Sequence, residues 1–231
     1  MPPSHPESIR HLVVLGHPSA SSFNRAVAET YCAAVRDCGQ IPMLRDLYAM
    51  GFDPLLKADE RAGDDIGTSP DVAAELEMLR AADAIVLVYP IWFGLPPAII
   101  KGYVDRVLGA GFRAGALAAG KPHPLLAGKR LLILSSSATT RPWLEERGQW
   151  QALRQAFDRY LVDAFHMHSS KSLHFDAVVE TMEERVVYEH LEEVRNAAFA
   201  LSSALLSEHR GAEAQAAVRR RGRETPAARE N

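Results

Sequence analysis

This sequence has little cysteine and no excess of basic over acidic residues. Its 231 residues include only two cysteines, Cys32 and Cys38, and the net charge is −3. Two cysteines six residues apart on one helix lie on different faces, too far apart to form a disulfide. Unpaired thiols are typical of a reducing compartment, so we expect a cytoplasmic protein. Because this charge balance offers no basic surface, we expect no nucleic-acid partner.

Long hydrophobic runs are also missing. The first ten residues, MPPSHPESIR, lack the apolar core of a signal peptide, which argues against secretion. The longest apolar stretch without charge lies between Asp83 and Lys101. It contains Pro90, Pro96 and Pro97, so we expect no membrane span there.

Short apolar runs alternate with helical patterns along the chain. The runs predict strands at 11–15, 41–47, 84–89, 130–134 and 171–179, and the segments between them predict helices. This order predicts an α/β fold, a doubly wound five-stranded parallel sheet with helices on both faces. The last predicted helix covers 181–208, and 109–128 is expected to be a loop.

The end of the chain differs in composition from the rest. Residues 209–231 hold six arginines and three acids and almost no large apolar side chains. We therefore predict one domain over 1–208 and a disordered tail over 209–231. An anion-binding role for the arginines at 219–221 is the alternative interpretation.

Three segments follow predicted strands at the edge where open parallel sheets bind ligands. Loop 1 (16–24) leads into a helix, and its hydroxyls and free amides suit a phosphate or simply cap that helix. Loop 2 (89–94) carries Trp92 and Phe93, which either stack on a planar ring or cover the core. Loop 3 (135–140) offers hydroxyls that either contact the edge of a heterocycle or form a polar loop.

Other signals for a site are weaker. A glycine pattern over 109–115 follows a helix instead of a strand, which argues against a dinucleotide fingerprint. His166, His168 and His174 lack a carboxylate or cysteine pattern beside them, so no metal site is predicted. No Gly-x-Ser-x-Gly motif supports a serine hydrolase.

Several motifs in order give the chain a family resemblance. They are HPSASSFN at 17–24, DLYAM at 46–50, SPDV at 69–72 and PIWFGLPPAIIKGY at 90–103, followed by DRV at 105–107. Together they resemble the flavodoxin-like NAD(P)H:quinone oxidoreductases over residues 11–113. The resemblance implies a flavodoxin-like fold and a bound flavin, FAD or FMN. The placement of the 109–128 segment favours FAD.

The resemblance also assigns residues to the three loops. Loop 1 would hold the flavin phosphate, loop 2 would lie against the ring, and loop 3 would contact the polar edge of the ring. The residues implied are His17, Ser21, Ser22, Phe23 and Asn24 in loop 1, Pro90, Ile91, Trp92 and Phe93 in loop 2, and Ser137, Thr139 and Thr140 in loop 3.

Loop 3 departs from the family pattern. The family usually has two glycines after the threonines, then a tyrosine and a histidine thought to relay protons. Here Arg141 and Pro142 follow, and no tyrosine or histidine occurs before Tyr160. The relay therefore does not carry over. Arg141 either favours an anionic acceptor or the phosphates of the nicotinamide cofactor, or points into solvent.

The resemblance implies a function. We expect a flavin-dependent NAD(P)H oxidoreductase that passes a hydride through its flavin to a quinone-like acceptor. A homodimer is expected, with the 109–128 segment as a contact surface. The alternatives are an azo- or nitro-aromatic reductase on the same scaffold and a flavin-binding regulatory subunit of a transport system.

Overall fold

Parallel strands form one sheet at the centre of the computed structural model, which describes residues 9–58, 60 and 69–223. The strands are β1 (Arg10–Leu15), β2 (Ile41–Asp46), β3 (Ala84–Pro90), β4 (Arg130–Ser136), β5 (His168–Ser169) and β6 (Leu173–Phe175). Their order is β2-β1-β3-β4-β5, with β6 also pairing with β4, and every pairing is parallel. The predicted parallel sheet is confirmed.

The last strand differs from the prediction of one strand over 171–179. It is split, since β5 pairs with the start of β4 and β6 with its end. The intervening residues are polar, and the N–H of Ile133 donates to Ser172 Oγ at 3.3 Å. Here the N–H of β4 bonds a side-chain hydroxyl instead of a backbone carbonyl. The backbone ladder along β4 is therefore interrupted between its pairing with β5 and its pairing with β6.

Helices cover both faces of the sheet. They are α1 (Phe23–Asp37), α2 (Pro70–Ala81), α3 (Ala98–Tyr103), α4 (Ala114–Ala118), α5 (Arg141–Glu146), α6 (Gln149–Leu153), α7 (Tyr160–Phe165) and α8 (Glu184–Arg223). Two π-helical segments, Val104–Leu108 and Arg154–Arg159, continue α3 and join α6 to α7. The short helix α4 lies inside the segment predicted to be a loop, because five residues are too few to show a helical period.

Two apolar cores follow from the alternation of side chains along the central strands. In β3, Ile85 and Leu87 face a core formed with α2, α3, α6 and α7, while Val86 and Val88 face one formed with α1 and α8. All seven residues of β3 are buried. The strand is therefore covered on both faces, as its continuous apolar sequence predicted.

The end of the chain also differs from the prediction of a disordered tail over 209–231. Helix α8 continues to Arg223, and residues 224–231 lie outside the described residues. Glu208 forms an ion pair with Arg130, and His209 Nε2 lies 3.1 Å from Asp83 Oδ1. These contacts dock the helix on the domain, and the alanine-rich residues 211–217 favour its continuation into solvent. No helix among the described residues has the length and apolar character to cross a membrane.

Candidate functional site

The three loops start from neighbouring strands and meet at one edge of the sheet. The N–H of Gly16 in loop 1 donates to Val88 O at 2.9 Å, and the N–H of Ile91 in loop 2 donates to Ser136 O at 2.6 Å. A Cβ built on Gly16 would lie 2.4 Å from Ile100 Cγ1. Loop 1 therefore passes α3 at a distance that admits only glycine.

The start of α1 is arranged to attract an anion. Ser22 caps the helix by accepting from the N–H of Arg25 at 3.2 Å. The N–H groups of Phe23 and Asn24 belong to the first turn, where no intrahelical acceptor exists. The first turn carries no acid, so the positive end of the helix dipole is not offset there. This combination suits a phosphate.

Two residues assigned to the phosphate by resemblance use their side chains inside the protein. Asn24 is 3% exposed and donates from Nδ2 to Ser136 Oγ at 2.9 Å. The ring of Phe23 meets that of Phe175 edge to face at 5.4 Å. Both residues therefore offer the site their main-chain N–H groups, whereas the exposed hydroxyl of Ser21 lies on the loop surface, 3.1 Å from Ser19 Oγ.

His17 links loops 1 and 2. Its ring lies edge-on to Trp92 with centroids 5.6 Å apart, and its Nδ1 accepts from the N–H of Ser19 at 3.0 Å. Partial burial lowers the pKa of His17, and the bond from Ser19 only partly opposes this. The imidazole is therefore mainly neutral at pH 7.

Loop 2 ends in a tight two-residue turn. The N–H of Trp92 donates to Leu95 O at 3.0 Å, and the N–H of Leu95 donates back to Trp92 O at 3.2 Å. Phe93 and Gly94 between them have φ of 50° and 85°, the left-handed conformation of such hairpins. A phenylalanine is strained there, yet its ring is fully exposed. The turn thus presents an aromatic ring to solvent, while Ile91 beneath it is buried.

Loop 3 contains both engaged and free hydroxyls. Ser137 Oγ donates to Thr139 O at 2.7 Å and also contacts His174. Among the described residues, the hydroxyls of Thr139 and Thr140 have no hydrogen-bond partner. The two threonines, and not Ser137, are therefore free to meet a ligand.

Arg141 follows loop 3 at the start of α5. Its Nε donates to Glu145 Oε1 at 2.7 Å, and its guanidinium lies 5.0 Å from the centre of the Trp150 ring. The side chain is half exposed but held by these two contacts. The sequence left open whether it faces a ligand or solvent. In the structure it lies beside Trp150, whose ring centroid is 4.8 Å from that of His174.

Features of three residues in or near the loops were missed by sequence reasoning. His174, considered there only as a metal ligand, lies against loop 3. Tyr89 Oη and Asp158 Oδ1 are buried and have no hydrogen-bond partner in the described part of the chain, and burial raises the pKa of Asp158 to about 6. The described residues contain no group of three potential ligands that could hold a metal ion.

The strand order β2-β1-β3-β4-β5, with loops at the carboxyl edge of the sheet, is the order of flavodoxin-like proteins. The family model described as Flavodoxin-like fold matches residues 9–198, and the chain belongs to this family.

Curated relatives are named as oxidoreductases. The chain is 42% identical over 106 residues to an uncharacterized NAD(P)H oxidoreductase of Haemophilus influenzae, covering 45% of this chain and 52% of that protein. It is 37% identical over 122 residues to NAD(P)H dehydrogenase [quinone] 1 of Rattus norvegicus, covering 45% and 44%. The chain thus spans about half the length of the curated relatives that it matches.

Solved structures share the fold over most of the chain. An NAD(P)H:quinone oxidoreductase from Methanothermobacter marburgensis superimposes with a TM-score of 0.71 and 24% identity, covering 84% of this chain and 96% of that one. An FMN-dependent NADH-azoreductase from Bacillus anthracis in complex with FMN gives a TM-score of 0.63 and 15% identity, covering 84% and 99%. At these identities the likeness shows the fold alone.

Proposed function

We propose that the chain is a flavin-dependent NAD(P)H oxidoreductase that reduces a quinone-like acceptor. The observation that carries this proposal is that an anion-suited helix start and an exposed aromatic turn lie at one sheet edge, joined through His17 and Trp92. An anionic phosphate and a flat ring in one molecule match that pair of surfaces. The curated relatives named as NAD(P)H oxidoreductases support it.

The residues present fit a flavin phosphate. The N–H groups of Phe23 and Asn24, with the hydroxyls of Ser21 and Ser22, would hold it at the start of α1. Neutral His17 adds no charge of its own and borders the site toward loop 2. Binding at this position rests on backbone N–H groups and the helix dipole more than on charged side chains.

The other two loops fit the ring. Trp92 and Phe93 would lie against its flat surface, with Pro90 and Ile91 forming the support beneath, and Thr139 would face its polar edge together with Thr140. A bound flavin supplies the hydride-accepting and electron-donating chemistry. The chain's contribution is to orient the flat reactants and to exclude water from them. No protein nucleophile is needed for this role.

The flavin is FAD or FMN in this proposal. The placement of the 109–128 segment favours FAD, whereas solved structures of similar fold include an azoreductase in complex with FMN. Extraction of the flavin from the purified protein and its separation by chromatography would distinguish the two. The donor is NADH or NADPH.

We also propose a cytoplasmic homodimer. Loop 2 and the segment after β2 expose large apolar side chains, namely Tyr48, Met50, Leu55, Leu56, Trp92, Phe93 and Leu95. A second copy of the chain would cover part of this surface and close the pocket over a bound ring. Light scattering at micromolar concentration tests this, and a monomer that still turns over contradicts it.

An azo- or nitro-aromatic acceptor is the second candidate. It is favoured by the open aromatic turn at Phe93, which suits any flat acceptor.

A flavin-binding regulatory subunit is the third candidate function. It is favoured by the exposed end of α8 over 211–217, which offers a surface for a partner. Oxidation of NADH and NADPH by the flavin-loaded protein, with menadione and with an azo dye, separates the three. Turnover with menadione supports the main proposal, and bound flavin without turnover overturns the enzymatic role.

A further inference from the structure

The short strand β6 sends its last two side chains, His174 and Phe175, to opposite faces of the sheet, and each of the two contacts one of the loops. His174 lies between two serines of loop 3, with Nδ1 3.0 Å from Ser135 Oγ and Nε2 3.0 Å from Ser137 Oγ. Phe175, on the opposite face, packs edge to face against Phe23 at the start of α1. One strand of three residues therefore touches both loop 1 and loop 3.

One arrangement of hydrogens satisfies every polar group around His174. In it Ser137 Oγ donates to Thr139 O, which can only accept, and therefore accepts from His174, whose proton is then on Nε2. The unprotonated Nδ1 then accepts from Ser135 Oγ. The result is a one-way chain from Ser135 through His174 and Ser137 to the carbonyl of Thr139.

The electrostatic environment keeps this imidazole neutral. Burial lowers the pKa of His174 to about 4, against the opposing effect of Asp176, and nearby Arg141 lowers it further. At pH 7 the ring therefore has one N–H and one acceptor nitrogen, as the chain of hydrogen bonds requires.

Residues in and after β6 also form hydrogen bonds with the backbone of loop 3 and of the residue that follows it. The N–H of Ser137 donates to Phe175 O at 2.9 Å, and the N–H of Val178 donates to Ser137 O at 2.9 Å. The N–H of Arg141 donates to Asp176 Oδ2 at 2.6 Å. Loop 3 is thus held along its length by residues 174–178, which lie beyond the segment that resembles the quinone oxidoreductases.

We propose that His174 is a positioning residue of the flavin site, which holds loop 3 in the conformation that receives the polar edge of the ring. This inference rests on the proposed function. Without His174, Ser135 and Ser137 lose their shared partner, and the Ser137 hydroxyl is no longer held in the orientation that donates to the Thr139 carbonyl. Loop 3 then samples other conformations, and ordering it costs part of the binding free energy of the flavin.

The first test is independent of the flavin. A long-range ¹H–¹⁵N spectrum of the flavin-free protein at pH 7, with His174 assigned by its loss in His174→Gln, should show a neutral ring with the proton on Nε2. A proton on Nδ1, or a charged ring, overturns the inference even if the protein binds flavin.

The second test measures flavin affinity by fluorescence titration with FMN and FAD. His174→Leu removes both hydrogen bonds and should weaken binding by about tenfold or more, as loss of two neutral hydrogen bonds implies. His174→Gln, which can both donate and accept, should recover part of the loss. The control is His168→Leu, an exposed histidine on β5 that pairs with the start of β4, at the end of the sheet away from the loops, and it should change affinity less than about twofold.

The outcomes separate this inference from the proposed function. If the unchanged protein binds neither flavin, the proposed function fails, while the tautomer measurement still decides the hydrogen-bond chain. If the unchanged protein binds flavin and His174→Leu binds it equally well, the positioning role is overturned. If His174→Leu does not fold, the ring measurement on the unchanged protein decides: a neutral ring with its proton on Nε2 supports the proposal, and a proton on Nδ1 or a charged ring overturns it.

Discussion

Asn24 donates from its side-chain amide to Ser136 Oγ at 2.9 Å and thereby joins the first turn of α1 to the end of β4. Both groups are buried. The bond spans 112 positions in sequence and fixes the phosphate-suited helix start relative to loop 3. The two ends of the candidate site are therefore coupled through this buried side-chain pair.

Asn24→Ala should lower the free energy of unfolding by about 1–3 kcal/mol, because it leaves the buried Ser136 hydroxyl without its partner. Ser22→Ala should cost about 1 kcal/mol through loss of the helix cap. Urea unfolding checks both values, and flavin affinity should fall in the double variant. If the double variant keeps its flavin through dialysis, the Ser22 hydroxyl takes no part in holding the phosphate and the Asn24 side chain does not shape the site.

Gly16→Ala should destabilise the protein by about 1–3 kcal/mol, because the new methyl group would overlap Ile100. Gly115→Ala is the matched control, since no atom lies within 4 Å of a Cβ built there. Thermal unfolding should separate the two variants. Equal melting temperatures would show that loop 1 does not need its close approach to α3.

Phe93→Asn should leave the fold as stable as before or slightly more stable, because asparagine tolerates a positive φ and the exposed ring makes no packing contact to lose. The same change should raise the KM for a flat acceptor. Leu206→Asn, an exposed position on α8, serves as the control. A marked loss of stability in Phe93→Asn, with unchanged kinetics, would assign the ring a structural role.

The buried Arg106 should account for part of the acid sensitivity of the fold. Its guanidinium bonds Glu60 and Asp71 and holds the pKa of Glu60 at about 2, below the ordinary 4.5. This carboxylate therefore stabilises the fold above its ordinary pKa, and the contribution is lost as the pH falls toward about 2.

Arg106→Met should then cost about 3–5 kcal/mol at pH 7, because it leaves buried Glu60 without its cation. The loss should shrink as the pH is lowered from 5 to 2. Denaturant titrations across that range measure the difference. A pH-independent difference would mean that the ion pair contributes nothing through its charge.

Steady-state kinetics should follow a ping-pong scheme, because one flat pocket beside Trp92 and Phe93 cannot hold nicotinamide and acceptor on the ring at once. Double-reciprocal plots at several acceptor concentrations should give parallel lines. Converging lines would mean that both reactants bind together, and the shared pocket would have to be abandoned.

Sequence patterns predicted the features that depend on neighbouring residues in the chain, such as strands and loop motifs. The apolar runs of β1, β3 and β4 predicted the sheet, and loop 2 was recognised within a single motif at 90–103 that continues into α3. The split of the last strand was missed, because a hydroxyl of Ser172 replacing a backbone acceptor leaves no periodic signal. The helical end of α8 was missed because its docking depends on Glu208, whose partner Arg130 is 78 positions away.

Long-range side-chain contacts in the site were equally hidden. His174 reaches Ser135 and Ser137 across 39 and 37 positions, and only the placement of β6 beside β4 brings them together. The sequence of loop 1 could not show that the Phe23 ring packs inside the protein, because its partner Phe175 lies in β6, far along the chain. A sequence shows which residues a loop contains, whereas the sheet pairing decides which of them remain free for a ligand.

Flavin binding tests the central claim most directly. The purified protein, freed of small molecules, should be titrated with FMN and with FAD while flavin fluorescence is followed. We predict saturable binding of one flavin per chain, weakened in Ser22→Ala and in Phe93→Asn but not in Leu206→Asn. Absence of binding with both flavins, in a protein that is folded by circular dichroism, would contradict the assignment of the three loops to a flavin.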